Sequence, residues 1–353
     1  MRQGIAYALS SALLFGASTP LAKLLLGQIT PLVLAGLLYL GSGVGLAAWY
    51  LLRRVHRSTQ VNQTAALKIR DAPALAGAIL AGGVAAPVLL MFGLTSTPAS
   101  TASLLLNLEG VLTVFMAWFV FREQFDRQIF IGMLLIVLAS VLLSWEQLPQ
   151  PDIPWGSLAI AAACLCWAID NNLTRSISVS DALQIAAIKG IAAALVNLSL
   201  AWALGASVPA ADKIVAAGLL GLCGYGVSLV LFVLALRHLG TARTAAYFST
   251  APFVGAAISI VFLHEAPSPL VGLAALLMAS GIWLHLSEKH RHPHFHEPLQ
   301  HAHRHSHDEH HQHAHDFAWD DREPHDHPHR HETLAHSHPH FPDIHHRHAH
   351  RSS

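Results

Sequence analysis

Three charged side chains lie inside apolar runs of this chain: Glu109 in LLLNLEGVL (104–112), Lys189 in AAIKGIAA (186–193) and Lys23 in PLAKLLL (20–26). A charge in the middle of an apolar span is costly and points to a solute or ion pathway. Glu109, with Asn107 two positions before it, suits a cationic solute or a coupling proton, and its alternative role is structural pairing. Lys189 is the natural partner for Glu109, or a counter-charge for an anionic solute. Lys23 stands near a span end, where a lysine can snorkel to the interface. A polar group closes another span in AIDNNLTR (168–175), where Asp170, Asn171 and Asn172 form either a helix exit or the mouth of a pathway. Tyr247, Ser249, Thr250 and Pro252 put hydroxyls beside a proline, which removes a helix hydrogen bond and frees the Phe248 carbonyl. Such a carbonyl can ligand a cation or solute, or mark a simple kink.

A second chemistry lies at the C-terminus. Of the 27 histidines, 23 fall between His290 and His350. Imidazole is a common ligand for zinc, nickel and cobalt. In HAHRHSHDEHHQHAH (301–315) the candidates are His301, His303, His305, His307, His310, His311, His313 and His315. In HSHPHFPDIHHRH (336–348) they are His336, His338, His340, His345 and His346. Imidazoles at i, i+2 along a flexible strand can wrap one ion. Other uses of such a tract are a pH-responsive linker or plain low complexity. No cofactor is required by the body, and zinc, nickel or cobalt would be the tail's ligands.

These residues are positioned by a very apolar body. The chain is 53% hydrophobic and 12% charged, against about 25% charged in a soluble domain. Eleven acids and seven Lys or Arg of the total lie in 287–353, so the remainder is more apolar still. Ten apolar stretches follow one another: 5–26, 32–52, 73–93, 98–120, 128–145, 155–173, 182–204, 214–236, 244–263 and 269–286. Most have the length a helix needs to cross about 30 Å of hydrocarbon. They do not alternate apolar with polar, which excludes a β-barrel. The first stretch has no convincing cleavage site and reads as a helix rather than a leader. Cys164, Cys166 and Cys223 lie within spans and read as small buried hydrophobes. No phosphate-binding Gly-Lys-Ser/Thr loop and no HExxH zinc motif is present, so the chain reads as a non-enzyme.

Basic residues set an expected orientation. With the N-terminus inside, cytoplasmic loops hold Arg53, Arg54, Arg57, Lys68, Arg70, Arg122, Arg127, Arg175, Arg237 and Arg243, and outer loops hold only Lys213. Ten spans then return the tail to the cytoplasm.

The body also repeats. VFMAWFVFREQFDRQIFIGMLLIVLAS (114–140) matches AAISIVFLHEAPSPLVGLAALLMAS (256–280), aligning Glu123 with Glu265 and Gly132 with Gly272. The repetition of the glutamates suggests a structural role at the connection to the next helix. Five spans per copy is an odd number, so the second copy runs inverted, the architecture of many secondary transporters. The expected fold is an all-α integral membrane protein of ten helices in two inverted five-helix repeats, 1–146 and 147–286, plus a disordered histidine-rich tail, 287–353. The tail carries too little apolar material to order without metal.

FGASTPLAK (15–23), TPASTASLLLNLEGVLTVFMAWFVFRE (97–123) and LGTARTAAYFSTAPFVGAAISIVFLHE (239–265) resemble the EamA-like branch of the drug/metabolite transporter superfamily. The resemblance covers roughly 4–286 and implies an inner-membrane carrier of bacterial type, exporting amino acids, metabolites or drugs. It also implies that the first helix lines the central cavity. Family members carry proline at the positions of Gly110 and Pro252, and here only the second copy keeps it. The expected function is alternating-access export of a small solute, bound near Glu109, Lys189 and Tyr247. The alternatives are export of nickel, cobalt or zinc, and a membrane-bound metal sensor or scaffold. The expected partners are the bilayer and a small molecule or metal ion. A homodimer is left open, and nothing calls for a nucleic acid.

Overall fold

The computed structural model describes residues 2–56, 69–121, 127–146, 153–177, 182–239, 244, 247–287, 290–296, 300–305, 325–330 and 334–340. It divides into two units, Met1–Ser287 and Glu288–Ser353.

The first unit is all helix. Its first repeat holds α1 (Arg2–Leu26), α2 (Pro31–His56), α3 (Ala72–Ala78), α4 (Ala86–Ser96), α5 (Ala99–Leu105), α6 (Leu108–Phe121) and α7 (Arg127–Glu146). The second holds α8 (Trp155–Ser176), α9 (Ala182–Ala203), α10 (Ala211–Gly221), α11 (Ser228–Leu239), α12 (Ala251–Phe262) and α13 (Pro269–Ser287). Among the described residues, eight runs are long and apolar enough to cross a membrane, from Arg2–Leu26 to Ala211–Ala235. The ninth and tenth apolar stretches form shorter helices, Ala251–Phe262 and Pro269–Leu284. Large apolar side chains face outward all round the unit, among them Leu24, Leu134, Leu195, Leu219 and Leu276. That much exposed apolar surface has no place in water. Trp145, Trp155 and Trp202 are exposed near helix ends, where amphipathic rings suit the headgroup level.

Exchanging the two repeats maps the main contacts of the first, second and fifth spans onto one another. α1 packs on α11 and α12, and its counterpart α8 packs on α4 and α6. α2 packs on its own counterpart α9, and α7 on α13. The α2–α9 pair is antiparallel. Gly36 lies against Leu198 and Gly43 against Gly190 and Ile191, where a Cβ at Gly43 would come within 2.5 Å of the Ile191 nitrogen. Equivalent helices running antiparallel are what an inverted repeat requires, and the absence of side chains lets the backbones meet.

Two features depart from ten continuous helices. The third span of each repeat contains a π-helical segment, Ile79–Ala85 between α3 and α4 and Leu222–Val227 between α10 and α11. Both are glycine-rich, ILAGGVA and LCGYGV, and π segments concentrate at functional sites. The fourth span of each repeat is broken, at Leu106–Asn107 between α5 and α6, and at Ser249–Thr250 before α12. A break beside Pro252 is expected from sequence, and the proline occupies the first turn of α12, where its missing N–H costs nothing. The break at Asn107 is not. There the Asn107 amide donates to the Leu104 carbonyl at 3.0 Å, and the Asn107 N–H bonds the same carbonyl at 3.1 Å. A short amide side chain thus competes with the helix ladder.

In the second unit, where no ordered structure is expected without metal, β1 (His290–His296) pairs antiparallel with β4 (Leu334–His340), and β2 (Gln300–His305) with β3 (His325–Arg330). The register sets His292 opposite His338 and His303 opposite His327. The reason a polar tract can do this is that main-chain pairing needs no apolar core, although a lone two-stranded ribbon is marginal in water.

Candidate functional site

The chemistry gathers where α8 and α9 meet the first repeat. Lys189 of α9 forms an ion pair with the Asp170 carboxylate of α8, not with Glu109 as expected. Thr174, one turn along α8, donates to the other Asp170 oxygen at 2.9 Å. Glu109 accepts a hydrogen bond from the Asn171 amide at 2.9 Å. The partner choice follows from packing. α8 and α9 are consecutive helices, and Asp170 and Asn171, one residue apart, diverge around the helix axis. Asp170 therefore reaches α9 and Asn171 reaches α6. Asp170 fits because residue 82 is glycine: a Cβ there would overlap the carboxylate and lie 2.6 Å from the Asp170 Cβ. The exchange of repeats puts Ser18 against Gly224 in the same way, at 2.7 Å. Only one of the two equivalent places carries a charge.

The π segment behind Asp170 supplies acceptors. The Gly82 carbonyl takes hydrogen bonds from the Tyr39 hydroxyl at 2.7 Å and the Trp167 indole at 3.1 Å. The Gly83 carbonyl takes one from the Asn197 amide at 3.2 Å. Tyr39 packs on Tyr225 with ring centroids 5.7 Å apart. In front of these groups lies a cavity of about 260 Å³, lined by Tyr39, Ser42, Asn171, Thr174, Lys189 and Tyr225 among others. Its wall thus offers an ammonium, hydroxyls, an amide and aromatic faces, with the Asp170 and Glu109 carboxylates one hydrogen bond behind.

The other expected pathway residues lie elsewhere. Asn107 is buried in the α5–α6 break, with its amide also 3.5 Å from the Met278 sulfur. Lys23 is tied to the first repeat's third and fourth spans: its ammonium donates to the Leu94 carbonyl and, at 2.9 Å, to the Thr97 carbonyl. In the α12 approach, the Thr250 hydroxyl donates to the Tyr247 carbonyl at 2.6 Å. Phe248 beside them packs on Phe15 and Phe232, at 5.4 and 4.9 Å between centroids. Tyr247, Thr250 and Pro252 are therefore parts of a helix break and are not among the residues lining the cavity. Cys164 is buried, with its thiol 3.7 Å from the Leu105 carbonyl.

Tyr39, Ser42 and Tyr225 are the site residues that sequence reasoning misses. The available signal is the glycine pairs at 82–83 and at 224 and 226, which mark the same place in the third span of both copies. Among the tail candidates, His301, His303, His305, His336, His338 and His340 lie in described strands. His307, His310, His311, His313, His315, His345 and His346 lie outside the described residues, as does Glu123. Among the described residues, no three His, Cys, Asp or Glu side chains are grouped to hold a metal ion.

Two inverted halves around a polar cavity, sheathed in apolar helices, define a membrane transporter. The chain belongs to the EamA-like transporter family, whose model matches residues 2–145 and 154–287, one match per repeat. It is 26% identical over 290 residues to an uncharacterized transporter of Methanothermobacter thermautotrophicus, covering 78% of this chain and 84% of that one. The fold is also that of a protein of known crystal structure, with a TM-score of 0.58 at 21% identity, over 79% of this chain and 95% of the other.

Proposed function

We propose that the protein is an alternating-access secondary carrier that exports a small organic solute bearing a cationic group. In this reading ten spans cross an inner membrane of bacterial type, with both termini cytoplasmic, as the basic loops suggest. The observation that carries the solute class is the cavity surround, where Lys189 is already neutralised by Asp170 and Glu109, behind the wall, accepts from the neutral Asn171 amide among the described residues. With Glu109 ionised, the described groups beside the cavity carry one net negative charge, and two tyrosine faces complement an organic cation. A bare transition metal is poorly served by that wall, whose described lining has no His, Cys or Met. The histidine tail serves as an accessory that binds zinc, nickel or cobalt and buffers them at the membrane surface.

The test is flux into proteoliposomes under an imposed proton gradient, with a panel of small amines and, separately, nickel, cobalt and zinc. Glu109→Gln keeps an oxygen for Asn171 and removes the charge. The expected result is amine flux lost in Glu109→Gln and kept when the chain ends at Ser287. Metal flux without amine flux would make metal the cargo. Metal bound by the intact chain with no flux of any solute would leave a sensor or scaffold.

A further inference from the structure

We infer that the first π segment, Ile79–Ala85, is the hinge on which the carrier changes access, and that Tyr39 and Trp167 are the positioning residues that pin it in the described state. This rests on the carrier reading. In a π turn each N–H reaches the carbonyl five residues back, so the segment holds one residue more than an α-helix of the same rise. Ala86 N–H bonds the Ala81 carbonyl, and Ser228 N–H bonds the Cys223 carbonyl. The same offset separates Ala81 from Cys223, Gly82 from Gly224 and Ala86 from Ser228. The extra residue thus stands at one place in both copies, although the aligned residues agree only at Leu80 with Leu222 and Gly82 with Gly224.

Each segment packs on the first and second spans of the other repeat, the first on α8 and α9, the second on α1 and α2. A π turn is a usual seat of helix bending. Shifting its extra residue along the helix also turns the residues it passes by about 100° each. Either motion at these two segments moves one repeat against the other.

The two segments are held differently. Widening the turn frees carbonyls from the α-helical ladder. In the first segment, side chains from outside take them. The Tyr39 hydroxyl and the Trp167 indole donate to the Gly82 carbonyl, at 2.7 and 3.1 Å, and the Asn197 amide donates to the Gly83 carbonyl at 3.2 Å. In the second segment the Gly224 carbonyl takes the Ser228 hydroxyl of its own span, at 2.6 Å. The exchange that matches Ser18 with Asp170 puts Phe15 at the place of Trp167, and a phenylalanine has no N–H to give. Among the described residues, pinning from outside is a property of the first segment.

The pins reach the solute site. Tyr39 lines the cavity and holds Gly82 with its hydroxyl. The Asp170 carboxylate occupies the space that a Cβ on residue 82 would take, so a shift of Gly82 moves the seat of the Asp170–Lys189 pair. A solute against Tyr39 and Lys189 therefore bears on the hinge from two sides. Asn197 is fully buried, and its side-chain carbonyl oxygen has no partner among the described residues. An unpaired buried acceptor is costly, and that cost suits a state which the transport cycle leaves.

The two access states differ at named positions. Ala186, the fifth residue of α9, lines the cavity, whereas Ala35, the fifth residue of α2, is fully buried. Since α2 and α9 run antiparallel, these two alanines report opposite ends of the bundle. Exchange of the repeats exposes Ala35 when access changes.

Labelling of single cysteines by a water-soluble maleimide in nanodiscs tests this without any transported solute. The background carries Cys164→Ala, Cys166→Ala and Cys223→Ala, and the reporters are Ala35→Cys and Ala186→Cys. Leu34→Cys replaces Ala35→Cys if that chain is not monodisperse. Tyr39→Phe and Trp167→Phe each keep an aromatic ring, remove one donor and leave the other on Gly82. Each is expected to raise labelling at 35 relative to 186 by roughly fivefold, which is what one net hydrogen bond is worth, and the pair by roughly the product. Deletion of Ala81 turns the segment into plain α-helix and is expected to abolish the response to Tyr39→Phe; if that chain does not fold, the two single variants decide. A ratio within about twofold of the parent in both single variants, with position 35 labelled, is less than one hydrogen bond and overturns the hinge while leaving the carrier reading in place. No labelling at 35 in any variant overturns both.

Discussion

Replacing Lys189 by methionine would leave the Asp170 carboxylate with the Thr174 hydroxyl as its remaining side-chain partner among the described residues. Asp170 has a side-chain exposure of 5%, against 18% for Lys189. Removing one member of a buried pair strands the other charge, at about 3–5 kcal/mol. The lower end applies here, because Lys189 borders the cavity and water can approach the vacated place. For a chain of this size about 3 kcal/mol lowers the unfolding midpoint by roughly 4 °C. The neutral double variant Asp170→Asn/Lys189→Gln can keep a hydrogen bond with no charge to strand, so it should recover most of the loss. Thermal unfolding in detergent, followed with a thiol-reactive fluorophore that reports Cys164, measures both effects; Cys164 is fully buried, and Cys166→Ser with Cys223→Ser removes the accessible thiols. A Lys189→Met midpoint within about 1 °C of the parent, or single effects that simply add within about 0.5 kcal/mol, would refute the argument that the two charges depend on each other.

Two further outcomes follow from packing and from the tail. Gly82→Ala should destabilise by about 1–3 kcal/mol, because its Cβ would overlap Asp170. Gly218→Ala, whose added Cβ meets nothing within 4 Å, should be neutral or stabilising by up to about 1 kcal/mol, and thermal unfolding compares the two. Deleting Glu288–Ser353 should abolish high-stoichiometry zinc and nickel binding in equilibrium dialysis while leaving the unfolding midpoint unchanged.

The sequence alone determined the class. Apolar runs of membrane length, a polar tail and a repeated glutamate pattern are one-dimensional signals, because a bilayer demands continuous apolar helices and duplication preserves residue order. It also picked out Glu109, Lys189, Asp170 and Asn171, because polar groups inside such runs stand out whatever surrounds them. Pairing among them was decided only in three dimensions. Glu109 and Lys189 are the two deepest charges in sequence, yet Lys189 meets Asp170, because a glycine at 82 opens room for that carboxylate beside α9. Tyr39 and Tyr225 carry no signal on their own and become cavity walls only where α2 and the Leu222–Val227 segment converge. The break at Asn107 was hidden because an asparagine in an apolar run has no fixed helix-breaking value until its side chain takes a backbone carbonyl. Glu265 shows the same limit from the other side. Its repetition with Glu123 was visible in the sequence, but its partners, the first N–H groups of α5, lie more than 160 residues away in the other repeat. Residue type fixes what a side chain can do; the approach of distant helices fixes what it does it to.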